Sequence, residues 1–178
     1  MKDLWEKPCF RRIAGQQSGN FFWNISVYSC FTVNFGPSFW SYIHTDSKND
    51  PGACCAITAG GDYDPEKGGH LILWDLKVII EFPPGCTILL PSALLCHSNI
   101  PPQKGKTRVS FTQYTAGSIF RWLDFGGRTE EAFEQQDPEG YKKMLEMKHL
   151  RWEQLLANFC TLDELKGGLV ETKCDHPG

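Results

Sequence analysis

Residues 70–90 read HLILWDLKVIIEFPPGCTILL, which contains three short apolar runs, His70–Trp74, Val78–Phe82 and Thr87–Leu90, the last two parted by Pro83-Pro84-Gly85. Runs of this length, rich in β-branched and aromatic residues and closed by turn formers, read as successive strands. The same pattern extends in both directions. Upstream stand Phe21–Val33, Phe39–His44 and Cys54–Ala59; downstream stand Leu94–His97 and Arg108–Tyr114. Breakers fall at Gly36-Pro37, Asp50-Pro51-Gly52, Gly60-Gly61 and Pro101-Pro102. About eight strands in sequence predict a closed barrel or jelly roll.

Beyond Gly126-Gly127 the composition shifts to Glu, Gln, Lys, Leu and Met. Apolar residues Met144, Leu145, Met147, Leu150, Trp152, Leu155, Leu156 and Phe159 recur there at helical spacing. Asp137-Pro138-Glu139 supplies an N-cap followed by proline at the first helical position, which predicts a helix over 138–159 packed outside the barrel. The chain of 178 residues is long enough for one domain with a real core. The expected division is a β core over 1–128 and a helical C-terminal extension of the same domain over 129–178, with a frayed tail after Gly167-Gly168.

A net charge of -3 does not suggest a general polyanion binder, so contact with nucleic acid needs a local basic patch, such as Lys104, Lys106 and Arg108 or the Arg121 and Arg128 region. Eight cysteines form no C-x-x-C pair and sit mostly in apolar runs. Such thiols behave as small hydrophobes, so no disulfide-linked partner is expected and the setting reads as intracellular, nuclear or cytoplasmic. The start Met-Lys-Asp-Leu-Trp-Glu carries no apolar signal core, and no run reaches the roughly 18 apolar residues of a membrane helix, so no membrane contact is expected.

The chemistry lies in His44-Thr45-Asp46, a later lone His97, and Arg108-Val109-Ser110. Two imidazoles and one carboxylate leave three octahedral positions open, the arrangement of non-haem Fe(II) oxygenases; a closed set of four ligands would be structural zinc. His44 and Asp46, two apart in an extended run, share a face. The long interval to His97 lets the third ligand arrive from a neighbouring strand. Arg108 offers a planar fork for the far carboxylate of a dicarboxylate co-substrate, and Ser110 shares its face. His70, beside Gly68-Gly69, reads as structural, and His149 and His176 lie in the helical part and tail.

On these residues the chain resembles the Fe(II)- and 2-oxoglutarate-dependent dioxygenases, over about Asn34 to Arg128. More narrowly it is similar to the TET/JBP group, and within that to the TET/JBP-like proteins of mushroom-forming fungi. The closer likeness rests on His44-Thr45-Asp46-Ser47-Lys48-Asn49-Asp50, Asp62-Tyr63-Asp64-Pro65, Lys67-Gly68-Gly69-His70-Leu71, Trp74-Asp75-Leu76, Phe82-Pro83-Pro84-Gly85, Ser110-Phe111-Thr112-Gln113-Tyr114 and Phe120-Arg121-Trp122. The resemblance implies a mainly β, double-stranded β-helix fold, Fe(II) held by His44, Asp46 and His97, and 2-oxoglutarate held by Arg108 and Ser110. It also implies oxidation of a methylated base in DNA, most simply 5-methylcytosine, as in DNA demethylation. Asn49 and Tyr114 occupy the positions that meet the target base in that group. Two departures stand out: Thr45 replaces a frequent arginine, and Ala116 replaces a histidine of the TET pattern.

N6-methyladenine, a protein side chain or a small metabolite are the alternative substrates. A non-catalytic barrel remnant is the alternative from another class.

Overall fold

In β2 (Cys55–Asp62), Cys55, Ile57 and Ala59 are buried in the core, and in β3 (Leu71–Leu73) so are Leu71 and Leu73. This is the two-residue period of a strand with one face turned inward. Leu90, at the end of β5 (Thr87–Leu90), and Phe82, just after β4 (Val78–Ile80), join the same cluster. The remaining strands are β1 (Cys30–Asn34), β6 (His97–Asn99) and β7 (Thr107–Tyr114). They form two antiparallel sheets, in the orders β1-β7-β2-β5 and β4-β3-β6, which share that one core. The computed structural model describes residues 26–159, 161–163 and 166.

Three expectations change here. Among the described residues the strands form two sheets rather than a closed barrel. Phe39–His44 is a seam between the sheets, not a strand. At one end the Phe39 N–H donates to the Arg108 carbonyl (2.9 Å), beyond the point where β1 leaves β7 at the Asn34–Ser110 pair. At the other end Asn99 donates to Ser41, and His44 and His97 exchange both main-chain bonds at 3.0 and 2.9 Å. A segment divided between two sheets makes isolated bridges, because neither sheet supplies a continuous ladder. The run expected at Leu94–His97 shifts for a related reason. Leu94 and Leu95 both bond back to the Pro91 carbonyl in a turn, so pairing with β3 starts only at His97.

Gly61 shows how closely β2 and β7 approach. It has φ +117 and pairs with Arg108, and a Cβ there would lie 2.3 Å from the Thr107 carbonyl oxygen. Gly61→Ala is therefore expected to destabilise the fold by about 2 kcal/mol or more, combining left-handed strain with a backbone clash, read as a lower urea midpoint.

After β7 come α1 (Gly117–Asp124), α2 (Glu130–Gln136), α3 (Pro138–Glu146), a 3-10 turn (Met147–Leu150) and α4 (Arg151–Leu156). Helix α1 was not anticipated, since its Gly-Ser-Ile-Phe start carries no side-chain cap. The Thr129 and Asp137 side chains cap α2 and α3, and Pro138 takes the first turn as expected. The single helix expected over 138–159 is broken by the 3-10 turn. Leu145, Met147, Leu150 and Trp152 are exposed, so no buried face holds one helical register across the junction. Phe125 stacks on Phe133 at 5.3 Å with the Arg128 guanidinium over the Phe133 ring. Leu155 and Asn158 lie against Gly52, in the loop that follows Asn49.

The first part of the Phe21–Val33 run, Cys9, Cys160, Cys174 and the expected frayed tail lie outside the described residues. The five described cysteines are free thiols. Among the described residues no helix is long and apolar enough to cross a membrane.

Candidate functional site

The main-chain pair between His44 and His97 fixes the site. A narrow antiparallel pair puts both side chains on one face, and the two rings lie 4.4 Å apart between centroids. Each ring donates its Nδ1 proton to the carbonyl two residues earlier, His44 to Tyr42 and His97 to Leu95, both at 2.8 Å. A carbonyl can only accept, so Nδ1 carries the hydrogen in each ring and Nε2 is left with its lone pair free. Such bonds fix both tautomer and orientation in metal-binding histidines.

Asp46 arrives by a turn. Its N–H donates to the Ser92 carbonyl (2.9 Å), while its own carbonyl receives the Asn49 N–H (2.8 Å). One carboxylate oxygen thereby lies 3.6 Å from His44 Nε2. The potential ligand atoms of His44, Asp46 and His97 all fall within 4.8 Å of one another, on the wall of a cavity of about 450 Å³. The sequence had placed His44 and Asp46 on one strand face; a bridge and a turn bring them together instead.

His97 is 3% exposed, and burial pushes its imidazole below the ordinary value, against the opposing pull of the Leu95 carbonyl and Asp46. The neutral ring that a metal requires is thus favoured. The same shift bears on stability. The unfolded chain takes up a proton at about pH 6.5, before the folded one does. The metal-free protein should keep its His97-linked stability above that pH and lose it progressively as pH falls toward the folded value. Urea unfolding on either side of about pH 6.5 should show the decline, flattened in His97→Phe.

Ser110 and Tyr114 line the cavity with Thr112, as alternate residues of β7. Arg108 does not. Its side chain is fully buried, with Nη1 donating to the Phe39 carbonyl at 3.2 Å. Burial lowers its guanidinium pKa. Tyr63 lies alongside, its hydroxyl donating to the Phe82 carbonyl. Arg108 Nε and Nη2 have no hydrogen-bond acceptor. Asn49 also lines the cavity, but its Nδ2 is directed to the Asp46 carboxylate (3.4 Å) and the Ser92 hydroxyl (3.2 Å). It braces the Asp46 carboxylate. Thr45 and Lys48 lie on the same wall, and Ala116 forms a main-chain bridge with Asn49.

Sequence reasoning missed Asn34, Ser41, Ser92 and Asn99. Asn34 donates to the Ser110 hydroxyl at 2.9 Å, and Ser41 to the Asn99 amide oxygen at 3.2 Å. The period-two spacing of His97 and Asn99 was the one available signal, since it puts both on one face of a strand.

No protein-family model and no curated protein sequence matches the chain. Solved structures similar to it include NgTET1 in complex with 5mC DNA, at 12% identity and a TM-score of 0.49, covering 62% of this chain and 42% of that one. Another is the viral collagen prolyl hydroxylase vCPH from Paramecium Bursaria Chlorella virus-1 in its 2OG complex, at 15% identity and a TM-score of 0.32, covering 48% of this chain and 60% of that one. This chain thus spans less than two thirds of either. At such likeness, any function assigned to it stands on its own side-chain geometry.

Proposed function

We propose that this chain is an Fe(II)- and 2-oxoglutarate-dependent dioxygenase acting on a methylated nucleobase in DNA, most simply 5-methylcytosine. The observation that carries the oxygenase reading is the cluster of His44, Asp46 and His97, with both Nδ1 protons committed to main-chain carbonyls. Three donors of this kind on an open wall suit Fe(II) with exchangeable positions. The co-substrate passes a separate test of fit. A fully buried guanidinium with two nitrogens lacking acceptors calls for an anion, and a carboxylate offers the bidentate partner that a guanidinium prefers.

In this reading His44, Asp46 and His97 hold the iron, while Arg108 and Ser110 hold the far carboxylate of 2-oxoglutarate. Bound iron and 2-oxoglutarate would together let dioxygen hydroxylate a methyl C–H bond, one oxygen atom going to the methyl carbon and the other to succinate as the co-substrate loses carbon dioxide. The chain's own residues orient and enclose. Asn49 steadies the Asp46 carboxylate. Phe39 and Ile57 give the cavity apolar wall that limits water. A methyl group inside a stacked duplex cannot enter a cavity, so the base must leave the helix. Asn49 Oδ1 and Tyr114 are then the groups on this wall to meet its edge and face, the former accepting from the exocyclic amine of cytosine.

Charge favours a second reading, with the same iron chemistry on a protein side chain or small metabolite. Lys67 and Lys106 are held by Asp64 and Asp62 at 2.7 and 3.0 Å, which reduces the cationic surface available to phosphates. Incubation with Fe(II), ascorbate, 2-oxoglutarate and 5-methylcytosine duplex, followed by nucleoside mass spectrometry and succinate determination, tests both. Hydroxymethylcytosine with matching succinate is the expected result. Succinate formation stimulated by other substrates but not by DNA would move the assignment to the second reading, and no iron-dependent succinate under any condition would end the oxygenase reading.

A further inference from the structure

We infer that Asn99 is a co-substrate-binding residue whose side-chain amide donates to a carboxylate oxygen of the dicarboxylate, an inference that rests on the oxygenase reading above. Strand β6 puts Asn99 two residues after His97, so both side chains project to one side, and both line the cavity. The amide is held in one orientation. The Ser41 hydroxyl donates to Asn99 Oδ1 at 3.2 Å, and the Asn99 main-chain N–H donates to the Ser41 carbonyl at 3.3 Å. With Oδ1 occupied, Nδ2 is the atom left over, and it is buried without any hydrogen-bond partner.

A buried amide nitrogen normally finds an acceptor. The unmatched atoms around it are donors too. Arg108 Nε and Nη2 lack acceptors, and Ser110 Oγ already receives the Asn34 amide, which leaves the hydroxyl proton to be donated elsewhere. Unmatched donors on β6 and β7, those of Asn99 and Ser110 on the cavity wall, ask for a ligand rich in acceptors. An ionised carboxylate offers acceptors only. A neutral base would present donors and acceptors together, so Nδ2 is assigned to the dicarboxylate and not to the nucleobase.

Calorimetric titration of the Mn(II)-loaded protein with 2-oxoglutarate tests the assignment without turnover. Asn99→Ala, losing a hydrogen bond to a charged group, should bind 2-oxoglutarate about tenfold or more weakly. Asn99→Asp, nearly the same shape but anionic, should bind it more weakly still. Ser41→Ala, which frees the amide to turn, should fall between wild type and Asn99→Ala. Mn(II) affinity and melting temperature, measured on each variant, should stay near wild type; if Asn99→Ala fails to fold, the isosteric aspartate carries the test.

Wild-type affinity for 2-oxoglutarate in both Asn99 variants would overturn the inference. So would a loss confined to the KM for methylated DNA, which would place Asn99 against the base. These results differ from failure of the underlying reading, in which the wild-type protein itself would take up no 2-oxoglutarate.

Discussion

Asp46→Ala is expected to remove high-affinity Fe(II) uptake and reduce 2-oxoglutarate turnover to background. The cluster has a single anionic donor, and two neutral imidazoles alone cannot offset the desolvation of a divalent ion. The loss should be local. Asp46 is tied to the fold through main-chain bonds to Ser92 and Asn49, which alanine keeps, so the melting temperature of the metal-free protein should change little. Asn49→Ala gives a graded comparison. Its amide touches the Asp46 carboxylate and the Ser92 hydroxyl, and loss of such a brace typically lowers metal affinity by roughly 10- to 100-fold. Metal titration with succinate determination checks both variants. An Asp46→Ala protein that still turns over 2-oxoglutarate would mean that the carboxylate is no ligand.

The three clustered residues were legible because each carries its chemistry in its identity. A His-x-Asp followed by an isolated His and an Arg-x-Ser is conspicuous, and the apolar runs between them forecast strands. How the residues meet was not legible. The seam at Phe39–His44 has strand composition, yet its partners are Arg108 in one sheet and residues 97–99 in the other, and only register across distant segments shows that. The braces Asn34, Ser41 and Ser92 were hidden for the same reason. Serine and asparagine are common turn residues, and their pairing with Ser110, Asn99 and Asn49 spans 76, 58 and 43 positions. The family resemblance implied that Asn49 meets the target base; the added engagement with Asp46 follows from the turn at Asp46–Asn49, which brings the amide back onto the carboxylate. Arg108 was read as part of the binding wall. A two-residue period correctly aligns it with Ser110, but it cannot reveal that the side chain is fully buried with one nitrogen donating to the Phe39 carbonyl.

That burial makes Arg108→Met the most discriminating variant. It is expected to abolish 2-oxoglutarate binding and at the same time to raise the melting temperature of the metal-free protein. The guanidinium is fully buried with one bond, to the Phe39 carbonyl, and burial already pulls its pKa down. Nε and Nη2 find no acceptor, and the neighbouring Tyr63 hydroxyl gives its proton to Phe82. Exchanging a poorly compensated buried charge for an unbranched apolar side chain commonly stabilises a fold by about 1–4 kcal/mol. Leaving the Phe39 carbonyl without its donor costs about 1–3 kcal/mol in return. A net gain of about 1 kcal/mol corresponds to a rise of roughly 2–4 °C for a chain of this size. Arg108→Lys separates charge from shape: it keeps a cation but loses the fork, so it should bind 2-oxoglutarate weakly without the gain in stability. Differential scanning calorimetry with and without 2-oxoglutarate reads both effects. A fall of several degrees in Arg108→Met would show that the guanidinium holds the seam to β7, whereas a rise accompanied by wild-type affinity for 2-oxoglutarate would remove Arg108 from the co-substrate site; a rise with loss of binding means that the fold sacrifices stability to hold a cation where the dicarboxylate must be gripped.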